Sequence, residues 1–147
     1  MARKRGHKRS PGAGGREMEI RYEFGFDAAH RFPGMPRGHR YRGTHGHSFR
    51  AVIALHGAPR PPAGFVADFE RVESACRGVR ERLDHALLND IPGLGDPSLE
   101  NLCLWIWDRL ARRLPELASV TVRRDSLGQS CIYYGAGPAK RGNLSPR

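Results

Sequence analysis

Three histidines carry the most pointed chemistry in this sequence: His30 in FDAAHRF, then His45 and His47 in THGHSF. Neutral imidazole nitrogen is a common ligand of divalent metals. Three such ligands with a fourth position open is how a catalytic zinc is held, whereas a structural zinc is usually closed by four. Neither segment contains a Cys, which disfavours a Cys-rich structural site there. Two histidines one residue apart also arise by chance, and a buried histidine is commonly a hydrogen-bonded core residue. What separates these readings is whether the three rings share a face.

Strand parity speaks to that, because residues two apart in a strand project to the same side. From Met18 to Phe26 the apolar residues take the even numbers Met18, Ile20, Tyr22, Phe24 and Phe26, and the same face continues through Ala28 to His30. In the second segment Phe49, Ala51, Ile53 and Leu55 hold the odd face, which extends back to His47 and His45. Two neighbouring strands would then gather three imidazoles at one end of a buried face. The loop between them carries Arg31, Arg37, Arg40 and Arg42. Positive charge beside a metal suits an anionic small substrate, although a solvated basic loop fits these four residues equally well.

Downstream the apolar period changes. Val72, Ala75, Cys76, Val79 and Leu83 recur at helix spacing. After NDIPGLGDP a second helix is expected, with Asp96 as its cap and Pro97 in its first turn. Its buried stripe would be Leu99, Leu102, Cys103, Ile106, Leu110 and Leu114, flanked by Trp105 and Trp107 as core or subunit-contact residues. ASVTVRR then alternates, with Ala118, Val120 and Val122 on one face, and SCIYYG reads as a closing strand. The order β-β-α-α-β-β predicts an α+β domain, an antiparallel four-stranded sheet with two helices on one face.

A length of 147 residues suits one domain with a single modest core. Residues 1–17 hold six Lys or Arg against one acid and almost nothing to bury, and 137–147 are similar. Both are expected to be disordered tails around a domain spanning 18–136. The first tail carries +5 of the formal net charge of +10, so nucleic acid is not the expected partner. The N-terminal charges lead into Gly and Ser-Pro rather than an apolar run, and no stretch is apolar enough to span a bilayer. Cys76, Cys103 and Cys131 sit singly in periodic apolar segments, as reduced core thiols would. A cytoplasmic protein without a membrane partner is the expectation.

In this order and spacing, FDAAHRF, HGHSF, FVADFERV, LDHALLND and DPSLENLCLWIW resemble the 6-pyruvoyl-tetrahydropterin synthase family over about residues 18–136. Within it, they are most similar to the bacterial 6-carboxy-tetrahydropterin synthases of queuosine and 7-deazapurine biosynthesis. The resemblance implies a tunnelling fold, whose sheets associate into a trimer or hexamer with active sites at subunit interfaces. It implies Zn²⁺ on His30, His45 and His47, acting as a Lewis acid on the side chain of 7,8-dihydroneopterin triphosphate. It also implies a proton relay through Asp84 and His85, pterin contacts from Ser98 and Glu100, and a carboxylate late in the chain that anchors the ring. The expected activity is a zinc-dependent carbon–carbon lyase making 6-carboxy-5,6,7,8-tetrahydropterin. The alternatives are a family member that only cleaves the pterin side chain, or a non-catalytic zinc-containing pterin binder.

The LDH run has a reading of its own. A carboxylate beside an imidazole orients it and raises its basicity, so Asp84 and His85 make a general base near neutral pH. A histidine at a helix end can equally serve free carbonyls. Two positions depart from the family pattern. The family Cys, four residues before the HGH, is Tyr41 here, and a phenol (ordinary pKa near ~10, against ~8.5 for a thiol) is a poorer base unless zinc, Arg40 or Arg42 lowers it. Counting forward from VTV sets Arg124 at the anchor position, and counting back from CIYY sets Asp125 there, which a bulge would rotate into the pocket. Arg124 in that place would put a cation against the guanidine-like edge of a pterin and change the ring specificity.

Overall fold

A computed structural model of the chain describes residues 15–136. The basic tail expected over 1–17 lies outside the described residues except for 15–17, and the tail expected over 137–147 lies wholly outside them. The elements run β1 (Met18–His30), β2 (His45–Gly57), α1 (Phe69–Leu83), α2 (Leu99–Leu110), β3 (Leu117–Arg124) and β4 (Gln129–Tyr133). The four strands form one open antiparallel sheet in the order β1-β2-β3-β4. On one face α1 covers β1, and α2 covers β3 and β4. This is the α+β arrangement the periodicities predict.

Alternation along the strands decides what is buried. Phe24, Phe26, Ala28 and His30 of β1 point inward, as do Phe49, Ala51, Ile53 and Leu55 of β2. Phe26 and Phe49 are direct cross-strand partners whose rings stack at 5.0 Å. The far end of β1 runs out past this cover, leaving Met18 47% exposed and Ile20 and Tyr22 half-buried. α1 presents Val72, Ala75, Cys76, Val79 and Leu83 to the sheet, and its start is capped by Asp68, whose carboxylate accepts the Glu70 N–H at 2.9 Å. Each fully buried Leu, Ile or Phe of this core contributes roughly 1.5–3 kcal/mol.

The start of α2 differs from the expectation. Its cap is Ser98, not Asp96: the Ser98 hydroxyl accepts the Asn101 N–H at 3.1 Å. The Asp96 carbonyl instead receives the Ser98 N–H and the Asn101 side-chain amide, each at 2.8 Å. Pro97 therefore stands just ahead of the helix, with its carbonyl turned towards β1. Trp105 belongs to the core, while Trp107 is half-buried with its ring edge against Tyr133. The one register shift on the β2–β3 ladder falls between Ala54 and Leu55, remote from Asp125. β3 ends at Arg124, and Asp125–Leu127 form a single 3₁₀ turn closed by Gly128 at φ 63°, a conformation glycine adopts without strain. No helix among the described residues is long and apolar enough to cross a membrane.

Candidate metal centre

Uninterrupted pairing at the end of β1 and β2 builds the centre. His30 lies opposite His45, and Ala28 opposite His47, so all three rings leave the inner face together. Their centroids are 4.5 Å (His30–His45), 4.9 Å (His45–His47) and 5.0 Å (His30–His47) apart. One ligand-capable atom from each residue falls within 4.8 Å of the others.

The hydrogen bonds around the rings set where their protons sit. His30 Nδ1 is 2.9 Å from the Pro97 carbonyl, and His45 Nδ1 is 2.8 Å from the Gly43 carbonyl. A carbonyl only accepts, so each Nδ1 carries the hydrogen and each Nε2 the lone pair, the outer support that ligating histidines typically have. Both Nε2 atoms are buried with no hydrogen-bond partner. His47 Nε2 lies 3.4 Å from Arg124 Nη1, a group that only donates, so this nitrogen too presents a lone pair. Burial holds His30 below the usual imidazole range. Burial first, and then the Arg124 cation, bring His47 down to about 4. Neutral imidazole is the state that ligates, and two orphaned lone pairs at a common focus are what a cation would satisfy. The donor set fits a divalent metal.

An inner cleft of about 280 Å³ is lined by Tyr41 and Arg124, the side chains that lie against His45 and His47. Tyr41 forms one wall, stacked on His45 at 5.6 Å, with the guanidinium of Arg40 4.9 Å and that of Arg124 5.9 Å from its ring centre. Ser98 and Glu100 line the same cleft. Arg124 points into it, as its parity with Val120 and Val122 requires. Asp125 does not line it: its carboxylate is exposed and takes the Arg123 Nε–H at 2.7 Å. Gln129, the cross-strand partner of Arg124, also lines the cleft. Only the β3–β4 register would have singled it out. Arg42, one of the four basic loop residues, is occupied in stapling that loop through the carbonyls of Pro33 and Met35. None of the three cysteines borders the cleft; burial pushes the thiols of Cys76 and Cys103 up to about 12.

Asp84 and His85 lie elsewhere, on the free edge of β1. The His85 N–H donates to the Asp27 carbonyl at 2.6 Å and the Ala29 N–H to the Ala86 carbonyl at 2.9 Å, so the chain leaving α1 runs along that edge. His85 holds φ 58°, an uncommon conformation for a residue other than glycine. Asp84 accepts the Asp27 N–H on Oδ1 at 2.9 Å, and its Oδ2 is 3.2 Å from His85 Nδ1 and 3.1 Å from Arg80. The Asp27 amide, and then the His85 ring, hold the Asp84 carboxyl below the usual range. The His85 side chain is 82% exposed and lines an open outer cleft of about 580 Å³ together with Asp27, Ala29, Gly46, His47 and Ser48.

Comparison with known proteins gives this geometry a context. The sequence model of the 6-pyruvoyl tetrahydropterin synthase family matches residues 19–136. A dihydroneopterin monophosphate aldolase of Pyrococcus furiosus is 34% identical over 111 residues, which cover 76% of this chain and 89% of the aldolase. A 6-carboxy-5,6,7,8-tetrahydropterin synthase of Synechocystis is 35% identical over 106 residues, 68% of this chain and 81% of that one. Among solved structures, the 6-pyruvoyl tetrahydropterin synthase of Caenorhabditis elegans superposes with a TM-score of 0.75 at 20% identity, covering 83% of this chain and 98% of its own, a likeness of fold.

Proposed function

The chain belongs to the 6-pyruvoyl tetrahydropterin synthase family, and from that premise we propose that it is a zinc-dependent pterin side-chain lyase, an aldolase that splits the C1′–C2′ bond of a phosphorylated 7,8-dihydroneopterin. The observation that carries this reading is the composition of the site: three metal-ready imidazoles beside the phenol of Tyr41, with no thiol in reach. The similarity to an enzyme named as a dihydroneopterin monophosphate aldolase supports the same reading.

Zinc held by His30, His45 and His47 would supply Lewis acidity to the side-chain hydroxyls of the substrate. The protein's own groups handle protons and position. Cleavage requires a base to remove the C2′ hydroxyl proton, a sink for the electron pair of the breaking bond, and an acid to protonate C1′. The conjugated C=N of the dihydropterin ring is the sink, and the products are glycolaldehyde phosphate and 6-hydroxymethyl-7,8-dihydropterin, with no water or oxidant consumed. His85, its Nδ1–H directed to Asp84, offers Nε2 as the base. Tyr41 returns the proton, and Ser98 and Glu100 flank the ring. Because the His85 side chain is exposed at the outer edge of the sheet and makes no hydrogen bond to the three rings of its own chain, the working site takes His85 from a second copy in a homo-oligomer. Thiols buried in the core suit a cytoplasmic enzyme.

The second reading, 6-carboxy-5,6,7,8-tetrahydropterin synthesis for queuosine and other 7-deazapurines, is supported by the Synechocystis relative. It ranks second because Tyr41 stands where that chemistry uses a thiol. Incubating zinc-loaded protein with 7,8-dihydroneopterin monophosphate and triphosphate, with products identified by mass, tests both. The expected pair is 6-hydroxymethyl-7,8-dihydropterin and a phosphorylated glycolaldehyde. Acetaldehyde with a carboxylated pterin would establish the second reading, and recovery of both substrates unchanged would overturn both.

A further inference from the structure

Arg124 and Gln129 are the last cross-strand pair of β3 and β4, on the same face as the pairs Val122–Cys131 and Val120–Tyr133. They are the polar end of an otherwise apolar inner row. Arg124 Nε and Gln129 Oε1 are both buried, and neither has a hydrogen-bond partner. Such groups are rarely left idle in a folded protein, and a donor and an acceptor left open side by side point to a ligand that bonds both. Both residues line the inner cleft, whose flanks are the rings of Phe32 and Tyr41 and the side chains of Met35 and Leu99. A cleft lined by aromatic and apolar side chains with a few polar groups suits a planar heterocycle.

The chemistry of the pair narrows which edge. A guanidinium has N–H donors and no acceptor, so it cannot serve ring amino groups; it serves a ring oxygen or an unprotonated ring nitrogen, and the oxygen, with two lone pairs and more negative charge, is the stronger acceptor. A carboxamide oxygen accepts, so it serves an adjacent ring N–H. We propose that Arg124 and Gln129 together read a lactam edge, the neighbouring C=O and N–H of a pyrimidinone ring, with Arg124 donating to the oxygen and Gln129 Oε1 accepting from the nitrogen. The inference rests on the reading of this site as a pterin site and adds which edge of the ring is bound. It makes Arg124 and Gln129 specificity residues with no part in bond cleavage.

Two unreactive fluorescent rings test this by titration against full-length protein, both metal-free and zinc-loaded: 6-methylpterin, which has the 4-oxo lactam edge, and 2,4-diamino-6-methylpteridine, which lacks it. Wild-type protein should bind the 4-oxo ring about ten- to a hundredfold more tightly, since a charge-assisted hydrogen bond is lost with the diamino ring. Arg124→Glu should reverse the preference, because a carboxylate accepts from amino groups. Gln129→Leu should narrow it without reversal. Circular dichroism checks that each variant is folded, and Arg124→Gln, expected to shrink the preference, stands in if Arg124→Glu is not. Equal affinities in the wild type, binding of neither ring, or a preference that survives folded Arg124 variants would overturn the proposal. Turnover of dihydroneopterin phosphate without an Arg124-dependent ring preference would sink the edge reader and leave the lyase standing. A preference that follows Arg124 without turnover would do the reverse.

Discussion

One end of β1 carries two histidine sites that differ in nearly every physical respect. On the inner face, His30 is 1% exposed, its ring is fixed by a carbonyl, and ligand-capable atoms of His45 and His47 on β2 lie within 4.8 Å of its own. On the free edge, the His85 side chain is 82% exposed, set on a left-handed backbone and paired with Asp84. Regular strand geometry makes the first site complete within one chain. The second has its base and its orienting carboxylate on the rim of the outer cleft, and under the proposed function a second copy brings a metal centre to it. The proposed metal-holding and proton-moving functions should therefore be separable by mutation.

That separation sets the order of expected effects. His30→Ala should abolish metal retention and activity together. It should also destabilise the fold by about 2–4 kcal/mol, because it opens a cavity in the core and strips the Pro97 carbonyl of its partner. Metal analysis and denaturant unfolding read both losses, and retention of metal at wild-type affinity would erase the distinction between the two sites. His85→Ala should leave metal content and stability near wild type while turnover falls on the order of 10²- to 10⁴-fold. Mixing His45→Ala and His85→Ala proteins under conditions that let subunits exchange should restore activity that neither shows alone. If His85 served the rings of its own chain, the mixture would stay as inactive as its components.

Tyr41→Phe should lower turnover by about 10- to 100-fold with the metal kept, since the ring stack on His45 survives and only the hydroxyl is lost. The smallest effect concerns Asp84. Its folded carboxyl is held below the ordinary value, so it adds stability at pH values above the unfolded-state value of ~4 and loses that contribution as pH falls through the lowered one. The stability difference between wild type and Asp84→Asn, followed by thermal melts, should be constant above about pH 5 and shrink below about pH 4.

What could be read ahead of the structure follows the regularity of the backbone. The three rings were legible because thirteen-residue strands keep their parity from Phe24 to His30 and from Leu55 back to His45. The α1 stripe was legible for the same reason, at helical period. Where the chain leaves regular structure, legibility ends. Asp96 and Ser98 are both good caps, and only the hydrogen bonds to Asn101 choose between them. Arg124 and Asp125 could not be separated by counting, because a 3₁₀ turn beginning at Asp125 offsets the two strands. Gln129 carries no pattern of its own. The direction of His85 depends on a positive φ that nothing in LDHALL announces.

The most direct measurement is a zinc titration of metal-free protein, followed by calorimetry or a competing chelator dye, on the wild type and on His45→Ala. One zinc per chain should bind tightly to the wild type, with that site lost in the variant. A wild-type protein that purifies empty and takes up no added zinc, or a variant that binds it just as well, would contradict the metal centre on which the proposed chemistry depends.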